Sequence, residues 1–201
     1  MGKAFSEEEK ELIHDRLREV GLKLFAERGI KKLSIKEITQ EVGIAQGGFY
    51  TFYKSKEDFA MDLFKFRITD KLKRWEQNFP VTLEDPVGFV SDMLYEQGTH
   101  LKDNKAFNDK ESDSWFLFLN RDTKEKVEVM KCYRSFFRKL IRFWEENGYE
   151  VICDMSGLMN AMSMAVVIFT NAEKVSTDYF GAIYRTYCDG VVQKFLSVRK
   201  K

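Results

Sequence analysis

The sequence predicts an all-α fold in two parts: an N-terminal helix-turn-helix domain of three helices, then a larger helical domain. Apolar residues recur at helical spacing along most of the 201 residues. Only 2 prolines interrupt the chain, and aromatic residues make up 14% of it. No run of alternating apolar and polar residues is long enough to indicate a strand, so long helices are more likely than a sheet.

The composition argues against a nonspecific nucleic-acid-coating protein, a secreted protein and a membrane protein. With 44% apolar residues the chain can bury a core, and a net charge of +1 argues against a polycation that coats nucleic acid indiscriminately. The cysteines are widely spaced and no signal peptide precedes them, so we expect reduced thiols and a cytoplasmic protein. The most apolar stretch, Leu158 to Phe169, is shorter than the roughly 20 residues that span a bilayer. We therefore expect no membrane association.

The most informative stretch is residues 34–53. Ser34 and Glu37 have the spacing of a capping box, in which each side chain bonds the other's backbone N–H at a helix start. A helix is thus predicted to begin at Ile35. It ends at Gly43, a residue that tolerates the positive φ common at helix ends.

A second short helix is predicted within residues 45–53, with Phe49 and Phe52 turned inward. Its outward residues are small or polar: Gln46, Gly47, Gly48, Tyr50 and Thr51. Two short helices joined by a glycine-containing turn are typical of a helix-turn-helix, whose second helix can enter a DNA major groove. A plain helical hairpin is the alternative. Paired glycines argue against it, since each costs a helix about 1 kcal/mol relative to alanine but lets a backbone approach another surface.

The segment from Ser34 through Gly43 and the residues that follow resemble the TetR/AcrR family of bacterial transcriptional regulators. The matching residues after the turn are Gly47, Phe49, Tyr50, Tyr53, Lys54 and Lys56. The resemblance covers the first third of the chain, and the remainder matches in length and helical character. Two positions depart from the family pattern: Gly48 replaces a small hydroxyl residue or alanine, and Tyr53 replaces a common phenylalanine. Because Gly48 departs from the pattern, the resemblance does not specify the operator sequence.

The resemblance implies a DNA-binding surface of nine residues. Those expected near base edges are Lys36, Gln46, Gly47 and Thr51, those expected to hold phosphates are Ser34, Tyr50, Lys54 and Lys56, and Gly48 lies among them. The amide of Gln46 can pair with N6 and N7 of adenine, which makes it the strongest candidate for direct base recognition. For Lys54 the alternative role is to cap the end of the second helix.

Three segments follow from these patterns. Residues 1–56 are expected to form the DNA-binding domain, residues 57–79 a connecting helix, and residues 80–201 a ligand-binding and dimerisation domain. The stretch from Pro80 to Pro86 is the best linker candidate, with Asp85 capping a helix whose first residue is Pro86.

Two C-terminal helices, predicted near residues 154–172 and 177–198, are apolar over more than one face. Such surface must be buried, either within one chain or against a second copy. The family resemblance implies the second: a homodimer held by a four-helix bundle. The candidate interface residues are Met155, Met159, Met162, Val166, Tyr184, Tyr187, Val191 and Phe195.

A ligand pocket is expected in the larger domain, for an unidentified small apolar or amphipathic effector. Its candidate wall residues are large and apolar: Phe89, Met93, Phe116, Phe137, Trp144 and Met162. Core filling is the alternative for each of them, and above all for the methionines, which adapt to irregular gaps.

The sequence thus predicts a ligand-responsive transcriptional regulator, most simply a repressor that binds a palindromic double-stranded operator as a homodimer. An architectural DNA-binding protein without effector response is the first alternative. An all-α enzyme is the second, but the chain has only 2 histidines, His14 and His100, and neither a GxSxG motif nor a glycine-rich phosphate loop. We expect no catalytic residues, no metal and no cofactor.

Overall fold

The computed structural model describes residues 5–28, 32–103, 124–170 and 177–201. Within these ranges the chain forms eight α-helices, one 3-10 helix and a two-stranded sheet. The bounds are α1 Glu7–Arg28, α2 Ile35–Val42, α3 Gln46–Phe49, α4 Lys56–Gln77, the 3-10 helix Phe79–Leu83, α5 Pro86–Asp103, α6 Lys124–Glu146, β1 Tyr149–Cys153, α7 Met155–Thr170, α8 Thr177–Phe195 and β2 Leu196–Lys200. The helical fold class is confirmed.

Ser6 and Glu9 have the spacing of a capping box at the start of α1. The backbone N–H of Ser6 donates to the Glu9 carboxylate at 2.7 Å, and the Glu9 N–H donates to the Ser6 hydroxyl at 3.1 Å. This reciprocal pair satisfies two backbone donors that a helix start leaves open.

The chain divides into two compact units, and the boundary between Arg67 and Ile68 falls inside α4. Among the described residues, the first unit comprises 5–67. Helices α1 and α4 approach closely in it at Gly21, where an added Cβ would lie 2.4 Å from Cζ of Phe59. The buried apolar residues of this unit are Leu17, Val20, Leu24, Phe25, Leu33, Ile38, Val42, Phe49, Tyr53, Phe59, Ala60 and Leu63.

The second unit begins within α4 and contains the remaining helices. Its core includes Trp144, Phe136, Phe137 and Leu140 of α6, each at most 1% exposed. The candidate linker does not separate two units. Residues 79–83 form a 3-10 helix inside the second unit, with Phe79 and Thr82 buried.

The start of α5 follows the prediction. Pro86 is its first residue, and the Asp85 carboxylate accepts a 2.9 Å hydrogen bond from the Gly88 N–H.

The fold also contains one small two-stranded sheet that the sequence did not predict. Strands β1 and β2 pair antiparallel, with Tyr149 opposite Lys200 and Cys153 opposite Leu196. The predicted helix over 177–198 accordingly ends at Phe195. Each strand has five residues, too few for an alternation to stand out in the sequence, and long-range pairing stabilises them rather than local propensity.

None of the helices described is long and apolar enough to cross a membrane.

Candidate nucleic-acid interface

Helix α2 and the turn after it form as the sequence predicts. The Ser34 hydroxyl accepts the backbone N–H of Glu37 at 3.3 Å, and α2 begins at Ile35. Gly43 adopts the left-handed conformation with φ of 83°, and its N–H reaches back to the carbonyls of Thr39 and Gln40. This turn ends α2 and directs the chain towards α3.

The Glu37 carboxylate has a role that the capping pattern does not show. It accepts hydrogen bonds of 2.8 and 3.0 Å from Nη1 of Arg28, at the end of α1. Side-chain pairing between helices therefore adds to the Ser34 cap in holding the start of α2.

Helix α3 is shorter than predicted. Its α-helical part is Gln46–Phe49, and the chain continues in turns in which the N–H of Thr51 bonds the carbonyl of Gly48 at 3.1 Å. We define the recognition segment as residues 45–53, the range expected to be helical. Phe49 anchors it, fully buried and edge-to-face against Phe59 at 5.3 Å between ring centroids.

The inward face of the recognition segment differs in part from the prediction. Phe49 is buried, whereas Phe52 is half-buried and lies 6.3 Å from the ring of Phe5. Tyr53 is 5% exposed and completes the buried face. Tyr53 lies four residues after Phe49, and its backbone N–H donates to the Phe49 carbonyl at 3.1 Å, so the two rings share one face as helical spacing implies.

The two glycines of α3 have different surroundings. An added Cβ at Gly47 would meet nothing within 4 Å, and Gly47 is exposed. At Gly48 the Cβ would lie 3.8 Å from Ile44 and from Phe5, which is ordinary van der Waals contact. Gly47 therefore offers its backbone to the outside, whereas Gly48 faces partly into the unit.

Seven of the nine sequence-predicted DNA-binding residues lie in α2, the recognition segment or the start of α4, while Ser34 caps α2 and Lys54 lies between the recognition segment and α4. Six are exposed: Lys36, Gln46, Gly47, Tyr50, Thr51 and Lys54. The other three are half-buried: Ser34, Gly48 and Lys56. The first unit thus presents small, amide, hydroxyl and ammonium groups together, which are the donors and acceptors used on phosphates and base edges.

The two lysines after the recognition segment have distinct environments. The side chain of Lys54 is exposed, and its backbone N–H donates to the Asp58 carboxylate at 3.1 Å. Burial lowers the pKa of Lys56, the first residue of α4. A backbone hydrogen bond at the same helix start lowers the pKa of Glu57.

A polar cluster behind the recognition segment was not predicted. Asp62 of α4 accepts hydrogen bonds from Nε of Arg18 at 2.6 Å, from Nη2 of Arg18 at 2.8 Å and from the hydroxyl of Tyr53 at 2.7 Å. His14 stacks on the Tyr53 ring at 5.5 Å between centroids. Arg18 and Asp62 are 44 positions apart, so no local pattern in the sequence could indicate the pair.

The pKa shifts in this cluster follow from its contacts. Burial by itself raises the pKa of Asp62, but the hydrogen bonds from Arg18 and Tyr53 and the charge of Arg18 lower it overall. Burial and the hydrogen bond to Asp62 raise the pKa of Tyr53. The hydrogen bond to Asp62 raises the pKa of Arg18. Asp62 is thus held as a carboxylate and Tyr53 as a neutral hydroxyl donor.

The candidate pocket residues lie in the second unit, except Phe116, which is outside the described residues. Met93, Phe137, Trp144 and Met162 are buried, and Phe89 is half-buried. The described residues hold no group of three or more His, Cys, Asp or Glu side chains that could bind a metal ion.

The candidate dimer residues divide by exposure. Within the single chain Met159, Met162 and Tyr184 are buried, whereas Met155, Tyr187, Val191 and Phe195 are half-buried. The side chain of Val166 is outside the described residues. Three exposed apolar residues on the same two helices were not predicted: Met164 at 52%, Tyr179 at 68% and Ile183 at 55%.

Comparison with known protein families gives a match over the helix-turn-helix. Residues 17–62 match the family of bacterial regulatory proteins named the tetR family. This range contains α2, the recognition segment and the Arg18 and Asp62 pair.

Two curated relatives come from Bacillus subtilis. The uncharacterized HTH-type transcriptional regulator YerO is 24% identical over 191 residues, which cover 89% of this chain and 64% of YerO. The fatty acid metabolism regulator protein is 28% identical over 60 residues, covering 30% of this chain and 31% of that protein. The chain thus spans less than two thirds of the length of either.

Solved structures share the fold along most of the chain. A TetR transcriptional regulator from Rhodococcus sp. RHA1 has a TM-score of 0.62 at 19% identity, covering 94% of this chain and 99% of that one. RolR in complex with resorcinol has a TM-score of 0.70 at 16% identity, with coverages of 94% and 90%. FadR from Bacillus subtilis in complex with stearoyl-CoA has a TM-score of 0.56 at 15% identity, with coverages of 89% and 97%.

The helix-turn-helix geometry and the family match lead to one conclusion: residues 17–62 form a helix-turn-helix domain of the kind found in bacterial regulatory proteins of the tetR family.

Proposed function

We propose that this protein is a cytoplasmic, ligand-responsive repressor that binds a palindromic double-stranded operator as a homodimer. The observation that carries the proposal is the exposed surface of the helix-turn-helix. Its polar and small residues face outward while Ile38, Val42 and Phe49 fix it to a buried core. A surface so arranged can enter a major groove without unfolding its support.

On DNA, Gln46 and Lys36 are proposed to reach base edges, with Gly47 allowing the backbone of α3 to approach the groove. The Tyr50 hydroxyl and the Lys54 ammonium are proposed to hold phosphates. Both side chains are exposed, which leaves them available to a duplex. Phosphate contacts set the register, and contacts with base edges give the sequence preference.

The dimer is proposed to form through α7 and α8. Tyr179, Ile183 and Tyr187 follow at four-residue intervals along α8, so they are neighbours on one side of that helix. With Met164 of α7 they present apolar surface, and two of them expose more than half of their area. Exposed apolar side chains grouped on one side of a helix favour association with a second copy.

An effector site is proposed in the second unit, near Met93, Phe137 and Met162. Two proteins with the same fold have bound ligands, resorcinol in RolR and stearoyl-CoA in FadR. Helix α4 is proposed to carry the response, because it is continuous from Lys56 to Gln77 and contributes residues to both units. Operator half-sites lie about 34–36 Å apart, so a small tilt of α4 should weaken DNA binding.

The test is selection of binding sites by the full-length protein from a pool of randomised DNA duplexes. The proposal predicts enrichment of one two-fold symmetric motif, which we call the selected duplex. Binding without any enriched motif would favour an architectural DNA-binding protein and overturn the proposal.

The effector arm uses resorcinol and stearoyl-CoA as first probes, followed by a panel of small apolar and amphipathic compounds. A true effector should raise the melting temperature and release the selected duplex, and by linkage the duplex should weaken effector binding by the same factor. If every compound that stabilises the protein left DNA binding unaffected, the proposed ligand response would be wrong.

A further inference from the structure

The recognition segment has little stability of its own. Its α-helical part is four residues long and contains Gly47 and Gly48. Isolated helices of this length do not persist in water, and glycine lowers helix stability further. Its orientation must therefore come from contacts with the rest of the first unit.

Most of these contacts are apolar and weakly directional. The Tyr53 ring lies 4.8 Å from Phe59 and 5.4 Å from Phe49, measured between centroids. A phenylalanine at position 53 would make the same ring contacts. They bury surface, but they do not fix the rotation of the segment about Tyr53.

The Tyr53 hydroxyl makes the directional contact. It donates a 2.7 Å hydrogen bond to Oδ2 of Asp62 in α4. The acceptor is itself held in place, since Arg18 of α1 contacts both oxygens of Asp62 through two different nitrogens, at 2.6 and 2.8 Å. A two-point arginine and carboxylate pair fixes distance and direction together.

Partial burial strengthens the attraction between Arg18 and Asp62. The side chains of Arg18 and Asp62 are 25% and 23% exposed, so the pair is less screened by water than ordinary surface ion pairs. The end of the recognition segment is thereby joined to the two helices that frame it.

We propose that Asp62 and Tyr53 are positioning residues for DNA recognition, with the carboxylate fixing the recognition segment to α1 and α4 in the orientation that the operator requires. This inference rests on the proposed function and adds to it the contact through which α4 sets the recognition segment.

Loss of the hydrogen bond between Tyr53 and Asp62 should change the preference for DNA sequence more than the stability of the fold. Removal of the Tyr53 hydroxyl keeps its buried ring and leaves the other eleven buried apolar residues described in the first unit unchanged, so the unit should stay folded. A reoriented recognition segment would still meet phosphates but would meet base edges poorly. The ratio of affinities for the selected duplex and for a scrambled duplex therefore separates positioning from simple stabilisation.

The test compares Tyr53→Phe, Asp62→Asn and the double variant with the wild-type protein, all as full-length chains. Each single variant should lower affinity for the selected duplex by roughly 3- to 10-fold, the size expected for one hydrogen bond. Affinity for the scrambled duplex should stay within about twofold. The double variant should lose no more than the larger single loss, because both changes remove the same contact.

Tyr149→Phe is the matched control, because it also removes one tyrosine hydroxyl that donates to a fixed acceptor, the carbonyl of Leu83 at 2.6 Å in the second unit, and it lies outside the proposed DNA and dimer contacts. It should leave the affinity ratio unchanged. A wild-type ratio in folded Tyr53→Phe protein would overturn the inference, and so would additive losses in the double variant. If Asp62→Asn fails to fold, Tyr53→Phe decides alone. Absence of any preference in the wild-type protein would instead mean that the proposed function fails.

Discussion

The indole N–H of Trp144 donates a 2.7 Å hydrogen bond to the hydroxyl of Thr82, and both side chains are buried in the second unit. The Thr82 hydroxyl in turn donates to the carbonyl of Phe79 at 2.6 Å. Tyr149, at the start of β1, adds a 2.6 Å hydrogen bond to the carbonyl of Leu83. Hydrogen bonds from α6 and β1 therefore fix the 3-10 helix in place through its buried side, although Pro80 and Val81 within it are exposed.

Thr82→Val should destabilise the protein by about 1–3 kcal/mol, because it leaves the buried indole N–H of Trp144 without an acceptor. Thr82→Ser keeps the hydroxyl and should cost less. The measurement is urea unfolding of both variants and the wild-type protein. Equal losses for valine and serine would show that the hydrogen bond contributes little.

The two glycines of α3 should respond oppositely in DNA binding. Both Gly47→Ala and Gly48→Ala should favour the helix by up to about 1 kcal/mol, since neither added Cβ meets a close contact. Gly48→Ala should keep or improve affinity for the selected duplex. Gly47→Ala should weaken it, because its methyl group would stand between the backbone of α3 and the groove. Unchanged binding by Gly47→Ala would show that no close approach occurs there.

Ile183→Glu should convert the proposed dimer to folded monomers. The side chain is 55% exposed in the single chain, so a carboxylate there is tolerated by the monomer but costly in an apolar interface. Ile152→Glu is the matched control, since Ile152 is 66% exposed on β1 and lies outside the proposed interface. Light scattering after size exclusion gives the mass of each. A dimeric Ile183→Glu protein would place the interface elsewhere.

The Asp62 cluster should make stability depend on pH at the acid end. The folded-state pKa of Asp62 is lowered, so its stabilising contribution is present above the unfolded value of about 4 and is lost as pH falls through the folded pKa. The facing groups are Arg18, Tyr53 and His14. Thermal unfolding of the wild-type protein and Asp62→Asn should therefore differ near neutral pH and converge below about pH 4. A constant difference across this range would contradict the pKa shift.

Local signals in the sequence were sufficient for α1, α2 and the turn at Gly43. In each case a capping residue or a left-handed glycine lies within four residues of the group that it satisfies, so the pattern and the structure carry the same information. The exposed face of the recognition segment also follows from spacing. These elements include most of the residues proposed to contact DNA.

Other features depend on partners that are distant in the chain. β1 and β2 pair residues such as Tyr149 and Lys200, and the Arg18 and Asp62 pair joins helices that no periodicity connects. Burial on α7 and α8 was likewise not predictable, because an apolar helix does not show which of its faces the same chain covers. The sequence therefore could not separate buried Tyr184 from exposed Ile183.

The central claim is that the recognition segment determines which DNA sequence is bound, and site selection with Gln46→Ala tests it most directly. Gln46 is exposed at the start of α3. The account predicts that the variant selects the wild-type motif with one base pair of each half-site made degenerate, at a cost of about 1–3 kcal/mol on the best duplex. An identical motif bound with uniformly lower affinity would contradict it.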